Sequence, residues 1–199
     1  MKRSPVTHDR VFSDEDYARR YADGHHKMAE GFGREYTKKL SERGLSSGRI
    51  LDAGCGSGGT CITLAQSLPD VEVIGIDLSK PLLEIASHYV KQEGVEGKVK
   101  FENCDVQQIP YEDDNFDVVL NINMAHLVEK PIQMLDELER VLRPKGALYI
   151  RDLRRSFLGL IENEIKSAYS MKEVKDLFLK SRLRSGKFSS SVLYWKFEA

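Results

Sequence analysis

The 199-residue chain has little of what staples, anchors or exports a protein. Its three cysteines, Cys55, Cys61 and Cys104, are odd in number and show no CxxC spacing, which argues against a disulfide framework and a zinc site. They read as small buried apolar residues. No metal site of any other kind is indicated. No run approaches 18 apolar residues, so no transmembrane helix is expected. The stretch MKRSPVTHDRVFSDEDYARRY lacks the apolar segment of a secretory signal. These absences leave a cytoplasmic protein as the expectation. Charge of one sign is also lacking: 30 Lys+Arg against 31 Asp+Glu give a formal charge of −1, which excludes a strongly basic nucleic-acid coat. There is no repeat and no low-complexity linker.

What is present is an ordinary globular composition, 41% hydrophobic and 31% charged, in a chain of one-domain length. Charge is uneven along it. Residues 41–150 are acidic and residues 151–199 basic, so the tail either faces RNA or an acidic partner or is a solvated face.

Residues 14–43 read as helical, with Tyr17, Tyr21, Met28, Phe32, Tyr36 and Leu40 partly in helical spacing and Gly24, Gly31 and Gly33 as breaks. Strands and helices then alternate. RILDAG (49–54), VEVIGID (71–77), VKFENCD (99–105), FDVVLN (116–121) and ALYIRD (147–152) read as strands. Residues 60–68, the stretch after a Ser79 N-cap, and residues 131–142 read as helices. Further helices are expected near 157–167 and 171–183, and SVLYWKFEA reads as a last strand. Such alternation predicts an α/β fold with a parallel sheet, whose ligands sit at the carboxyl ends of the strands.

The residues at those ends carry the chemistry. Asp52-Ala53-Gly54-Cys55-Gly56-Ser57-Gly58-Gly59 follows the first strand, and its glycines fit both GxGxxG and GxGxG. Glycines let the backbone turn tightly and let a ligand approach, and the helix after them offers free N–H groups. Asp77 ends the second strand; beside a glycine loop its carboxylate reads as an acceptor for ribose hydroxyls. Asp105 ends the third and reads either as an acceptor for an adenine amine or as a turn residue. Asn121, Asn123 and His126 follow the fourth.

These motifs resemble the class I S-adenosylmethionine-dependent methyltransferases, in particular the small-molecule methyltransferases of the ubiquinone/menaquinone biosynthesis type. ILDAGCGSGGTCITLA resembles the glycine-rich motif, VIGIDLSKPLLEIA the ribose motif, and CDVQQIPYEDDNFDVV the adenine loop. HLVEKPIQMLDELERVLRPKGALYI resembles the helix and strand that follow. The resemblance covers residues 49–152 and implies a Rossmann-like, doubly wound, seven-stranded sheet, mostly parallel with an antiparallel last strand. It implies one domain over 1–199: an N-terminal helical cover (1–43), a cofactor-binding core (44–152) and C-terminal helices and strands (153–199). It further implies S-adenosylmethionine as cofactor, with Gly54, Cys55 and Gly56 around its methionine part and Asp52 on the loop or the amino group. Asp77 is implied on the ribose, Leu78, Asp105 and Val106 at the adenine, Asn121 near the amino group, and Tyr17 and Tyr21 closing over the site.

The pattern departs from the family where two histidines often follow the fourth strand; here His126 precedes Leu127. Few residues separate the fifth strand from the Met171 helix, so the acceptor pocket is expected to be small, open, or completed by the N-terminal helices or a second subunit. Methyl transfer to a small-molecule acceptor follows, with His126 as the candidate base and His25 and His26 behind it. A non-catalytic S-adenosylmethionine-binding module and an RNA or protein methyltransferase are the alternatives, although the near-neutral charge counts against nucleic acid. A nicotinamide-dependent oxidoreductase is disfavoured because no second domain is present to hold its substrate. Oligomeric state stays open.

Overall fold

The computed structural model describes residue 3, residues 13–156 and residues 163–199, the side chains of 163 and 164 excepted. Five strands, β1 (Ser47–Ala53), β2 (Asp70–Asp77), β3 (Val99–Asn103), β4 (Phe116–Ile122) and β5 (Leu142–Leu153), run parallel. Strands β6 (Lys187–Ser190) and β7 (Tyr194–Glu198) complete a seven-stranded sheet of order β3-β2-β1-β4-β5-β7-β6. The last strand, β7, is antiparallel to both β5 and β6. The order reverses between β1 and β4, and a crevice opens there at the carboxyl ends of the strands.

Alternation along each strand sends side chains to two cores. Ile50, Val73, Val118 and Tyr149 pack on one face with helices α1 (Glu15–Glu42), α2 (Gly59–Ser67) and α3 (Lys80–Gln92). Leu51, Ile74, Val119 and Ile150 pack on the other with α4 (Pro131–Val141) and α6 (Met171–Lys180), which follows the short α5 (Asn163–Ser167). The Ser79 cap forms as expected, its side chain accepting from the Leu82 N–H.

Four local expectations are corrected. Helix α1 runs unbroken through its glycines from an Asp14 cap. Gly33 is a contact rather than a break: a Cβ there would lie 2.4 Å from Cβ of Thr63 on α2. Strand β5 begins at Leu142, directly after α4, rather than near residue 147. Cys104 is only partly buried, although Cys55 and Cys61 are buried. Of the helix expected near 157–167, residues 163–167 are helical and residues 157–162 lie outside the described residues.

Candidate cofactor and active site

The site starts with the backbone of the glycine loop. Gly54, Gly56 and Gly58 have φ of 86°, 53° and 76°, the left-handed region that side chains avoid. A Cβ on Gly54 would meet Met124 Cγ at 2.6 Å, whereas one on Gly56 would meet nothing within 4 Å. Gly56 thus presents bare backbone to open space. The loop is pinned from below: Gly54 and Cys55 N–H groups both donate to the Ile76 carbonyl, at 2.8 and 3.0 Å. The Asp77 carboxylate accepts from the Gly56 N–H with one oxygen and from the Ser79 N–H with the other, each at 2.9 Å.

Above the loop lies a cavity of about 400 Å³, roofed by α1. Nine sequence-predicted residues line it: Tyr21, Asp52, Gly54, Cys55, Gly56, Asp77, Leu78, Asp105 and Val106. Three do not. Tyr17 packs beside Ala18, Ala22 and Leu82. Asn121 is buried, its Nδ2 donating to the Ala53 carbonyl at 2.8 Å. His126 is 3% exposed and faces Asp152, whose carboxylate accepts the His126 N–H and bonds its Nδ1, both at 2.7 Å. Its own carbonyl accepts from Arg3. His126, the candidate base, is therefore not among the residues that line the cavity; its ring belongs to a buried His–Asp pair.

Sequence reasoning missed much of the acceptor side. Met28, Met124, Leu127, Val128 and Glu129 line the cavity, together with Phe32 of the expected cover and with Asn123 and His25, which the sequence singles out. His25 Nδ1 lies 2.8 Å from the Tyr21 carbonyl, and its ring stacks on Tyr21 at 4.1 Å. A carbonyl oxygen only accepts, so Nδ1 carries the proton and the neutral ring keeps Nε2 as an acceptor. Gln107 was also missed. Its side chain donates to Asp105 at 2.9 and 3.0 Å and its Oε1 accepts from the Lys130 N–H, tying the loop after β3 to the start of α4. The aromatic and methionine spacing on α1 was legible; which face roofs the cavity was not.

The lining is acidic. Asp52, Asp77, Asp105 and Glu129 contribute carboxylates, and among the described residues no lysine or arginine lines the cavity. Burial pushes the Asp52 carboxyl up to about 7; the Cys61 thiol at 3.4 Å opposes this and the nearby Asp77 adds to it. Burial also raises Asp77, opposed by the Ser79, Gly56 and Leu78 N–H groups. A bare-backbone cradle beside carboxylates suits a ligand with cationic centres better than a dinucleotide pyrophosphate.

Residues 45–192 match the model of a methyltransferase domain family. The chain belongs to this family, the class I S-adenosylmethionine-dependent methyltransferases. Methyltransferase GfsG of Streptomyces halstedii is 39% identical over 124 residues, 61% of this chain and 44% of that protein. The 27-O-demethylrifamycin SV methyltransferase of Amycolatopsis mediterranei is 36% identical over 124 residues, 59% of this chain and 45% of that protein. The chain thus spans less than half the length of these curated relatives. A solved methyltransferase structure from Methanococcus maripaludis, described as putative, superposes with a TM-score of 0.77 at 18% identity, covering 93% of this chain and 92% of that one.

Proposed function

We propose that this protein transfers a methyl group from S-adenosylmethionine to a small-molecule acceptor. The observation that carries the reading is the Gly54–Gly58 cradle, open at Gly56 and flanked by buried carboxylates at the β1/β4 reversal. The cofactor fits these residues. Its methionine part is held by the Gly54, Cys55 and Gly56 backbone with Asp52 on its cationic side, its ribose by Asp77, and its adenine between Leu78, Asp105 and Val106. Tyr21 roofs the site, while Tyr17 and Asn121 support it from behind. When bound, the sulfonium supplies a preactivated methyl group.

The chain's own residues then align and desolvate the acceptor. Orientation of this kind is worth about 7–11 kcal/mol in favourable cases. Where the acceptor holds its proton, His25 Nε2 takes it, in place of the buried His126. The N-terminal half of α1 acts as the cover of a single domain, since Tyr21, His25 and Met28 all line the cavity. No helix among the described residues is long and apolar enough to cross a membrane. The free thiols of Cys55, Cys61 and Cys104 suit the reducing cytoplasm, which we take as the site of action. That no lysine or arginine among the described residues lines the cavity favours a small molecule over nucleic acid.

Calorimetry with S-adenosylmethionine, S-adenosylhomocysteine and NAD, followed by transfer of labelled methyl across an acceptor panel, tests the reading. Binding of the first two and labelled product are expected. NAD binding, or no S-adenosylhomocysteine binding at millimolar concentration, overturns it. Cofactor binding without turnover on any acceptor marks a non-catalytic binding module.

A further inference from the structure

The acceptor side of the cavity carries charge information that the cofactor motifs do not. It is walled by Met28, Phe32, Met124, Leu127 and Val128, with Glu129 beside them. Met28 and Leu127 are 41% and 38% exposed, so the apolar wall continues to the protein surface. An uncovered apolar surface of this kind is where a ligand body docks. Against this wall stand the Asp52, Asp77 and Asp105 carboxylates and Glu129, with no lysine or arginine on the lining among the described residues.

One guanidinium comes close without entering. Arg151 lies over the Phe32 ring at 4.5 Å and over Tyr194 at 4.2 Å, and pairs with Glu35 at 3.1 Å. Its charge is engaged by the Glu35 carboxylate and these two ring faces. An anionic acceptor entering this site gives up its hydration, finds no lysine or arginine on the lining among the described residues and approaches several carboxylates.

From this we infer that the acceptor is an uncharged, largely apolar molecule, docked against Met28, Phe32, Met124 and Leu127, and that the site rejects carboxylates and phosphates. The inference rests on the methyl-transfer reading for what the bound molecule is used for. The electrostatic selection itself is a property of the lining. Glu129 stands at the exposed end of this wall, where a charge acts on a ligand before burial is complete.

Two probes of one skeleton and different charge test it: methyl cinnamate and cinnamate, titrated into S-adenosylhomocysteine-saturated protein while the methionine methyl resonances are followed. Saturable shifts at Met28 and Met124 are expected with the ester, and cinnamate is expected to bind at least about tenfold more weakly. In Glu129→Lys the two affinities should come within about threefold of each other. Equal or tighter binding of cinnamate to the unaltered protein overturns the inference, as does an ester that leaves both methionines unshifted up to its solubility limit. Failure of the methyl-transfer reading shows separately, as absent S-adenosylhomocysteine binding before any probe is added. The ester-to-carboxylate ratio is then read on the protein alone and decides the inference in the same way.

Discussion

The Asp77 carboxylate and the Gly56 N–H are 2.9 Å apart, so the residue assigned to the ribose also holds the loop assigned to the methionine part. Its second oxygen accepts from Ser79, the cap of α3. One side chain therefore links the glycine loop, the end of β2 and the start of α3, and on the proposed reading a change at Asp77 should be felt along the whole cofactor.

Asp77→Asn keeps the size of the side chain but turns one acceptor into a donor facing an N–H group. S-adenosylhomocysteine affinity is expected to fall by about 1.5–3 kcal/mol, roughly tenfold or more. Calorimetry on the folded variant checks this; near-unaltered affinity removes Asp77 from the site.

The raised Asp52 carboxyl has a pH signature. Its value of about 7 lies above the ordinary 3.8, so the folded state holds a proton that the unfolded chain releases. Its favourable contribution is full below about pH 4, declines as pH rises through that interval and is gone above about 7. The change amounts to about 4 kcal/mol at most. Asp52→Asn should flatten this part of the stability profile and leave the variant relatively more stable above pH 7. Denaturant titrations between pH 4 and 8 measure it, and parallel profiles for the two proteins refute it.

Two glycines of α1 should respond oppositely. Gly33→Ala drives a methyl into Thr63 and should cost about 1–3 kcal/mol. A Cβ on Gly24 meets nothing within 4 Å, so Gly24→Ala should stabilise by about 0.5–1 kcal/mol. Thermal melts decide; two stabilising substitutions would mean that α1 does not sit on α2 in this way.

The histidines should separate by role. His126→Gln breaks the buried pair with Asp152 and should lower the melting temperature. His25→Gln should leave stability nearly unchanged and depress kcat. A stable, inactive His126→Gln beside a fully active His25→Gln would restore His126 as the base.

The cover should tighten on binding. Hydrogen exchange in the α1 segment 15–28, which carries Tyr21, His25 and Met28, should slow when S-adenosylhomocysteine is added. The segment 29–42, already seated on α2 through Thr60 bonding the Ala29 carbonyl and Gly33 meeting Thr63, should change little. Equal response, or none, in both halves refutes a cover.

The sequence by itself determined the alternation of strands and helices, the glycine turn and the acidic residues Asp52, Asp77 and Asp105 at the ends of the first three strands. These rest on local properties: apolar periodicity, left-handed φ at glycine, and capping by Ser79. What depends on a facing partner needed the tertiary structure. Strand β6, KFSS, has no apolar run of its own and exists as an edge paired to β7. Gly33 reads as a helix break until Thr63 is seen against it. His126 and His25 are the same residue type at distant positions in the chain. Folding turned the first onto a buried carboxylate and the second into the cavity, and nothing in their neighbours in sequence encodes that choice. The same holds for Asp52, whose carboxyl is raised because α2 and the sheet exclude water around it. Which side chain meets water, ligand or another element is a property of non-local packing, and that packing decided the chemistry of this site.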